Sequence, residues 1–296
     1  MVQERILESL GGREITPSDS SYAGWPALLS TSDRAKPEFF EQVRDLHPDG
    51  YIVGIGAGGI FSLLKCFPVG VLPQGLVMVD INPHVVVAGR IMEQALIEAA
   101  DVDVFIRNFF RVPQSMYQNQ VEQIVSVDPK LKDGLTRWSL RTWMGVPSSP
   151  SEEWDKEQDE FSKLLSRFFI KDYSDHLSVP LIVTEHFLEL QQLAREKRMA
   201  VVYANFIDPV FVDAVVRLPN FLSLTNIIYL TNMLDLTFGD GRLGDAGLEL
   251  VIKPLRRYEE SVSPPIFIFA PSSNLQRFAA VRSVNEVLSY SGFRYP

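Results

Sequence analysis

The sequence predicts an α/β protein built on a doubly wound, mostly parallel sheet, with an N-terminal helical segment and a helical insertion. Three observations lead to this prediction. Strand-like apolar runs alternate with helix-like segments along the chain. Most of these runs are apolar throughout, which is typical of parallel strands that are covered on both faces. Finally, the stretch YIVGIGAGGIFSLL at 51–64 puts four glycines within six positions, directly behind the first apolar run.

The elements follow in order. Residues 1–48 are mixed in composition and interrupted by prolines. We expect them to form a helical segment that covers the ligand-binding pocket of the main domain. Residues 49–296 then form the main domain. Its predicted strands are 51–55, 75–80, 199–206, 226–234, LELVI at 248–252 and PIFIFA at 265–270. Its predicted helices include 59–66, one opened by Asn82 and Pro83, 184–198 with Thr184 as N-cap, and 211–218.

Residues 112–183 differ from the rest of the domain. They contain VPSSPSEEWDKEQDEF, which is polar and marked by prolines. Such a stretch has little to bury, so we expect an insertion or lid that covers the pocket and selects the substrate.

The composition excludes several classes of protein. The chain has 296 residues, 46% of them hydrophobic, and a net charge of −9. An acidic chain without a basic patch argues against a nucleic-acid partner and favours a small-molecule substrate. The single cysteine, Cys66, excludes an intramolecular disulfide, and the absence of HxH and HExxH spacings argues against a metal site. With no long apolar run and no signal peptide visible, we expect a cytoplasmic protein without a membrane span.

The glycines at the first strand–helix junction are the strongest local signal. Glycine permits positive φ and lets backbone N–H groups approach a ligand without a Cβ in the way. Gly54, Gly56 and Gly58 fit G-x-G-x-G, whereas Gly54, Gly56 and Gly59 fit the dinucleotide pattern G-x-G-x-x-G. The glycines alone therefore leave two kinds of cofactor open, and also a tight turn that binds no ligand.

Asp80 narrows the choice. It ends the second apolar strand, which in a doubly wound sheet puts its carboxylate beside the glycine turn. A carboxylate there can accept hydrogen bonds from both hydroxyls of a ribose. The alternative is that Asp80 is a helix N-cap or a turn residue. Together with the glycines, Asp80 predicts a cofactor of the adenosine type.

Four segments carry a family resemblance. YIVGIGAGG, LVMVDINP, VVYANF and IIYLTNML, in this order, resemble the class I, Rossmann-like S-adenosylmethionine-dependent methyltransferases over roughly 48–110 and 195–270. The resemblance implies that the glycine turn lies under the methionine part of the cofactor and that the acid after strand two holds the ribose. It also places adenine after strand three and the transferable group after strand four. The implied cofactor residues are Gly54, Gly56, Gly58, Asp80, Ile81, Asn205, Phe206 and Thr231.

The pattern is also similar to a less characterised branch of that superfamily and, more distantly, to aminocarboxypropyl transferases, which move the amino-acid arm of the same cofactor. Two positions depart from the common pattern. Ile52 stands where many methyltransferases have an acid, and Asn205 stands where an acid commonly follows strand three. Asn205 can still accept a hydrogen bond from the adenine amino group, because its side chain has a carbonyl.

We therefore expect an S-adenosylmethionine-dependent transferase, and in the first place a methyltransferase acting on a small molecule. Asn232 would orient the acceptor or the cofactor, and Asp235 would take a proton from the acceptor. An NAD-dependent oxidoreductase built on Gly54, Gly56 and Gly59 ranks lower, because no Tyr-x-x-x-Lys pairing is present. A non-catalytic module that keeps the cofactor fold is a third reading. The sequence predicts no particular oligomeric state.

Overall fold

A computed structural model of the chain describes residues 2–9, 37–56, 59–68, 70–110, 114–127, 186–231, 245–269 and 279–290. The described strands form one six-stranded sheet in the order β3-β2-β1-β4-β5-β6. Strands β1 to β5 are parallel, and β6 is antiparallel to β5. The strands are β1 Ile52–Ile55, β2 Leu76–Asp80, β3 Met199–Tyr203, β4 Ile227–Thr231, β5 Ile266–Phe269 and β6 Ala279–Val281. The strand order reverses between β1 and β4, which is a topological switch point.

Helices cover both faces of the sheet. They are α1 Val2–Ser9, α2 Pro37–Arg44, α3 Gly59–Ser62, α4 Pro83–Glu98, α5 Val102–Phe110, α6 Gln114–Val127, α7 Phe187–Arg195, α8 Pro209–Val216, α9 Asp245–Tyr258 and α10 Val284–Tyr290, with 3₁₀ turns at Leu63–Cys66 and Phe221–Ser223. None of the helices in these ranges is both long and apolar enough to cross a membrane.

The strand side chains divide the core into two halves. Ile52 of β1 and Met78 of β2 pack with α2, α4, α5, α6 and α7. Their chain neighbours Val53 and Val77 point the other way and pack with α1, α8, α9 and α10. Because successive strand residues face opposite sides, a strand covered on both faces must be apolar at every position. The prediction of a mostly parallel α/β sheet is thereby confirmed.

One predicted strand is wrong. LELVI at 248–252 lies in helix α9, not in a strand. Ile252, Leu255 and Tyr258 are buried at helical spacing, while Lys253 and Arg256 are exposed. The periodicity of a short apolar run does not distinguish a strand from a helix. The helical spacing of the buried residues appears only when 248–252 is considered together with the residues that follow. The helix predicted over 184–198 begins at Phe187, so its N-cap is His186 rather than Thr184.

The N-terminal segment contributes to both helical layers. Helix α1 packs against β3 and α8, and the Val2 N–H donates to the Lys197 carbonyl over 3.0 Å. Helix α2 packs on the opposite face beside the Leu63–Cys66 turn, where Arg44 Nη2 donates to the Lys65 carbonyl over 2.7 Å. These helices therefore help to cover the sheet itself. Residues 10–36 lie outside the described residues, and the covering role expected for 1–48 stays a prediction.

The beginning of the predicted insertion is also part of the core. Helix α6 packs on α4, and its Val121 and Ile124 are buried in the same cluster as Met78. Burial of these two side chains joins 114–127 to the helical layer. Residues 128–185 lie outside the described residues, so the lid expected over 112–183 stays a prediction for that part.

Gly54 is required by packing at the centre of the sheet. An alanine methyl group at Gly54 would lie 2.8 Å from Tyr229 Cβ and 3.1 Å from the Tyr229 carbonyl oxygen, neither of which can move without shifting β4. At Gly89 of α4 the methyl group would meet the flexible Met78 Sδ, at 2.8 Å, and Val201 Cγ1, at 2.9 Å. We predict that Gly54→Ala lowers the free energy of unfolding by about 1–3 kcal/mol, as overpacking does.

Gly89→Ala is the comparison variant. Its overpacking is partly offset by the helix propensity of alanine, worth about 1 kcal/mol over glycine. Denaturant unfolding of the three proteins measures the difference, and equal losses in the two variants would contradict the assignment of Gly54 to a rigid contact.

Candidate functional site

The candidate site lies where β1 and β2 end at the carboxyl edge of the sheet. The residues of both strands are buried until the last one, and Ile55 and Asp80 are only half-buried. Gly56 follows β1 with a φ of +76°, in the left-handed region that favours glycine. Its N–H donates to the Val79 carbonyl over 3.3 Å. The polypeptide therefore turns sharply at Gly56 while it is still hydrogen-bonded to β2.

Among the described residues, little lies beside Gly56. The Asp80 carboxylate is the only described group near an added Cβ at Gly56, and Asp80 Oδ2 would lie 3.8 Å from it. Gly54 differs, since it lies inside β1 and its missing side chain accommodates Tyr229. Gly58 lies outside the described residues, and Gly59 begins α3. Of the predicted glycines within the described residues, Gly56 is thus the one that the structure brings together with Asp80.

Asp80 is the last residue of β2, and its two carboxylate oxygens have different surroundings. Oδ1 accepts the Asn82 N–H over 2.7 Å, and the Ile81 N–H also hydrogen-bonds the carboxylate. Oδ2 faces the space beside Gly56. Burial raises the pKa of Asp80 to about 7, although the two N–H donors offset part of that shift. Burial therefore favours the protonated form of the Asp80 carboxyl.

Asp80 is not the N-cap of α4. That helix begins at Pro83, and the Asn82 carbonyl accepts hydrogen bonds from the Val85 and Val86 N–H groups over 3.1 and 3.3 Å. The capping position thus belongs to Asn82. The alternative that Asp80 is a turn residue describes Oδ1 correctly. A side-chain oxygen that accepts a hydrogen bond from the N–H of the second residue after it forms an Asx turn. The sequence analysis did not predict that the Asn82 N–H holds the Asp80 carboxylate in position. The D-x-N-P spacing at 80–83 is the local pattern that indicates it.

Asn205 and Phe206 follow β3, the neighbour of β2. Asp80 is paired with Tyr203, and the Ala204 N–H donates to the Asp80 carbonyl over 3.2 Å, so the two strand ends are adjacent. Asn205 Oδ1 accepts the Ile207 N–H over 3.1 Å. The Phe206 side chain is buried in the core against Phe211 and Tyr258. Any contact of Phe206 with a ligand would therefore come from its backbone.

The remaining predicted residues belong to β4 or follow it. Thr231 ends β4, where the pairing with β5 is irregular between Tyr229 and Thr231. Ile81 is half-buried beside Asp80. Asn232 and Asp235 lie outside the described residues, so their catalytic roles stay predictions.

The helix after the glycine turn is unusually short. Helix α3 spans Gly59–Ser62 and passes directly into the 3₁₀ turn Leu63–Cys66. Ile60, Phe61 and Leu63 are fully buried. Lys65 is the basic residue of this segment, and its Nζ lies 5.8 Å from the centroid of the Phe40 ring. This segment therefore packs against the core and offers little positive charge to a ligand.

Comparison with known proteins does not assign the chain to a family. No protein-family model matches it, and no curated protein is significantly similar to it. The interpretation of the site therefore depends on the geometry described above.

The raised pKa of Asp80 predicts a pH-dependent stability. Because this pKa lies near 7 instead of the ordinary 3.8, the folded chain binds more protons than the unfolded chain between these values. The free energy of unfolding attributable to Asp80 therefore falls as pH rises from about 4 to 7, by at most about 1.4 kcal/mol per pH unit. Asp80→Asn keeps an acceptor for the Asn82 N–H and should remove this decline.

Urea unfolding of the wild type and Asp80→Asn at pH 4 to 8 measures this effect. Burial also raises the pKa of Glu93 to about 7, against the opposing charge of Arg90, so Glu93→Gln should remove a separate share of the decline. If the free energy of unfolding depends on pH in the same way for wild type and Asp80→Asn, the pKa of Asp80 is the same in the folded and unfolded chain. That result would contradict the prediction.

Proposed function

We propose that this chain is an S-adenosylmethionine-dependent transferase, specifically a methyltransferase acting on a small molecule. The observation that carries the proposal is the turn at Gly56, where Asp80 Oδ2, at 3.8 Å, is the one described atom within 4 Å of an added Cβ outside the neighbouring residues of the chain. A bare backbone turn and a carboxylate at adjacent strand ends suit a ribose diol and the substituent on its 5′ carbon. The fit is local, and it uses two residues that the sequence singles out for the same role.

The topology supports this location for the ligand. The order β3-β2-β1-β4-β5 places the carboxyl ends of β1 and β4 on either side of the switch point. Ligands of open α/β sheets bind in the crevice outside such a point. A Rossmann-like, doubly wound arrangement is therefore part of the proposal, and the ligand is expected beside Gly56, where β1 ends.

A nicotinamide dinucleotide fits the same residues less well. Dinucleotide folds place the pyrophosphate at the N-terminus of the helix that follows the glycine turn, where N–H groups and the helix dipole favour negative charge. Here that helix has four α-helical residues before it becomes a 3₁₀ turn. Lys65 lies over Phe40, so this segment supplies a dinucleotide with weak electrostatic support. S-adenosylmethionine has no pyrophosphate, so it does not require positive charge at this helix.

The roles of the described residues follow from this fit. S-adenosylmethionine, when bound, supplies an activated methyl group. Asp80 would hold the ribose through charge-assisted hydrogen bonds to Oδ2, while the Asn82 N–H keeps the carboxylate in place through Oδ1. Gly56 would leave room for the arm of the cofactor. Holding the donor in a fixed position is the main contribution that a protein makes to a direct displacement.

We predict that Asp80→Ala weakens S-adenosylhomocysteine about 100-fold or more. Two charge-assisted hydrogen bonds are lost, each worth about 1.5–3 kcal/mol, and 1.4 kcal/mol corresponds to tenfold. Gly56→Asn should also abolish binding, because asparagine tolerates positive φ but fills the ligand space. Isothermal titration measures both affinities. Glu93→Gln, a change at a half-buried acid outside the site, is the control and should bind like wild type.

The ligand affinity should also depend on pH. Ribose hydroxyls donate to the ionised carboxylate, and the pKa of Asp80 lies at about 7. Below that pH the ionised fraction falls, so the apparent Kd should rise by about tenfold for each pH unit. Above pH 8 the Kd should be constant. A Kd that does not change between pH 5.5 and 8 would argue against a diol on Asp80.

The reaction type is tested by the by-product. Methyl transfer from S-adenosylmethionine leaves S-adenosylhomocysteine, whereas transfer of the aminocarboxypropyl arm leaves methylthioadenosine. Incubation with a mixture of candidate small-molecule acceptors, followed by chromatography, shows which thioether accumulates. Binding without either by-product for every acceptor would favour the non-catalytic module.

A further inference from the structure

The C-terminal end of α4 is held by two side chains of α7. Gln191 Nε2 donates to the carbonyls of Leu96 and Ala99 over 3.0 and 2.7 Å. Arg195 Nε donates to the Ile97 carbonyl over 3.3 Å, and its Nη2 donates to the Ale99 carbonyl over 3.1 Å. The last carbonyls of a helix have no partner within the helix itself. Side chains of α7 therefore supply the hydrogen bonds that a further turn of α4 would have made.

Gln191 is the buried member of this pair. Its exposed fraction is 6%, whereas Arg195 is exposed to solvent. A side-chain amide nitrogen has two hydrogens to donate, and the two carbonyls use both. Water does not readily replace a hydrogen bond that is buried, and leaving its partners unpaired is costly. Gln191 is therefore the side chain that fixes where the end of α4 lies.

The middle of α4 is held to the sheet in a less specific way. Val86 and Ile91 belong to the apolar cluster that packs on β2 and β3. Apolar contacts have no preferred direction, so they resist a small movement along the helix axis less than hydrogen bonds do. Arg90 Nε and Nη2 approach the Val201 carbonyl only to 3.4 Å, which is long for a hydrogen bond.

The N-terminal end of α4 reaches the candidate site. The Asn82 carbonyl accepts the first hydrogen bonds of the helix, and the Asn82 N–H donates to Asp80 Oδ1 over 2.7 Å. Between the two ends α4 runs for 16 residues, or about 24 Å. Its internal hydrogen bonds make it stiff along its axis, so a displacement of one end reaches the other. The bond between Asn82 and Asp80 therefore depends on where Gln191 holds the helix.

We propose that Gln191 is a positioning residue for the Asp80 carboxylate and acts through α4 and the Asn82 N–H. It keeps the helix at the axial position in which Oδ1 is bonded and Oδ2 lies beside Gly56. The relevance to a ligand rests on the proposed function, in which Oδ2 binds the ribose. The link from Gln191 to Asp80 can be measured in the free protein.

Gln191→Met is the test variant, because methionine keeps the length of the side chain but has no donor. In NMR spectra of the ¹⁵N-labelled free protein, the Asn82 amide proton should move upfield, since its hydrogen bond to Oδ1 lengthens. In isothermal titration, the Kd for S-adenosylhomocysteine should rise about threefold or more, which corresponds to part of one hydrogen bond. Both quantities report on the folded chain, so a loss of stability alone would change neither.

Gln192→Met is the matched control. It is the same substitution at the next residue, where the side chain is exposed and Nε2 bonds Glu196 Oε1 within α7 over 2.8 Å. The Asn82 signal and the Kd should stay as in wild type. Arg195→Met is a second test variant, which serves if Gln191→Met does not fold. It removes hydrogen bonds to the same helix end from an exposed position, so it should move the Asn82 signal in the same direction by a smaller amount.

The possible results separate the two proposals. An Asn82 signal that stays in place in the folded test variants refutes the positioning role. A displaced signal with an unchanged Kd refutes a role of Gln191 in ligand binding. If the signal moves but wild type does not bind S-adenosylhomocysteine, the link between Gln191 and Asp80 stands and the proposed function fails.

Discussion

The structure depends on the position of β1 at the centre of the sheet. This strand is hydrogen-bonded to β2 on one side and β4 on the other, and it is buried on both faces. Such a strand has no free edge and no solvent face, so it can contribute to a site only at its end. The backbone must then turn away immediately, because both neighbouring strands continue past it. Gly56, at φ +76°, makes that turn, and Asp80 Oδ2 is the described group that lies nearest to the position of its missing Cβ.

The two polar side chains at this edge share one design. Asp80 commits Oδ1 to the Asn82 N–H, and Asn205 commits Oδ1 to the Ile207 N–H. In each case a short-range hydrogen bond to the backbone fixes the rotation of the side chain. Under the proposed function, Oδ2 of Asp80 would be the atom that bonds the ligand. A carboxylate and an amide suit this arrangement because each carries two polar atoms on one planar group.

The sequence was sufficient to predict an element where its local pattern is compatible with one kind of secondary structure. Apolar runs bounded by glycine, proline and acids predicted the parallel strands, since only a strand covered on both faces is apolar at every position. Gly56 and Asp80 were found because glycine and a strand-ending acid are unusual at those places in a buried sheet. The pattern failed at 248–252, where four apolar residues and one glutamate fit a strand and a helix equally well. The residues after 252 continue the apolar spacing of a helix, and the buried face of that helix packs against α8.

By itself, then, the sequence determined the α/β class, the parallel strands and the two residues that meet at the carboxyl edge. Only the tertiary structure separated Gly54, which accommodates Tyr229, from Gly56, which opens the site. It alone turned the amide oxygen of Asn205 inward, and it raised the pKa of Asp80 through burial. The reason is physical. Strand formation follows from residue patterns along the chain, whereas clearance around a Cβ, the direction of an amide and the loss of water around a carboxylate depend on atoms that distant segments bring together.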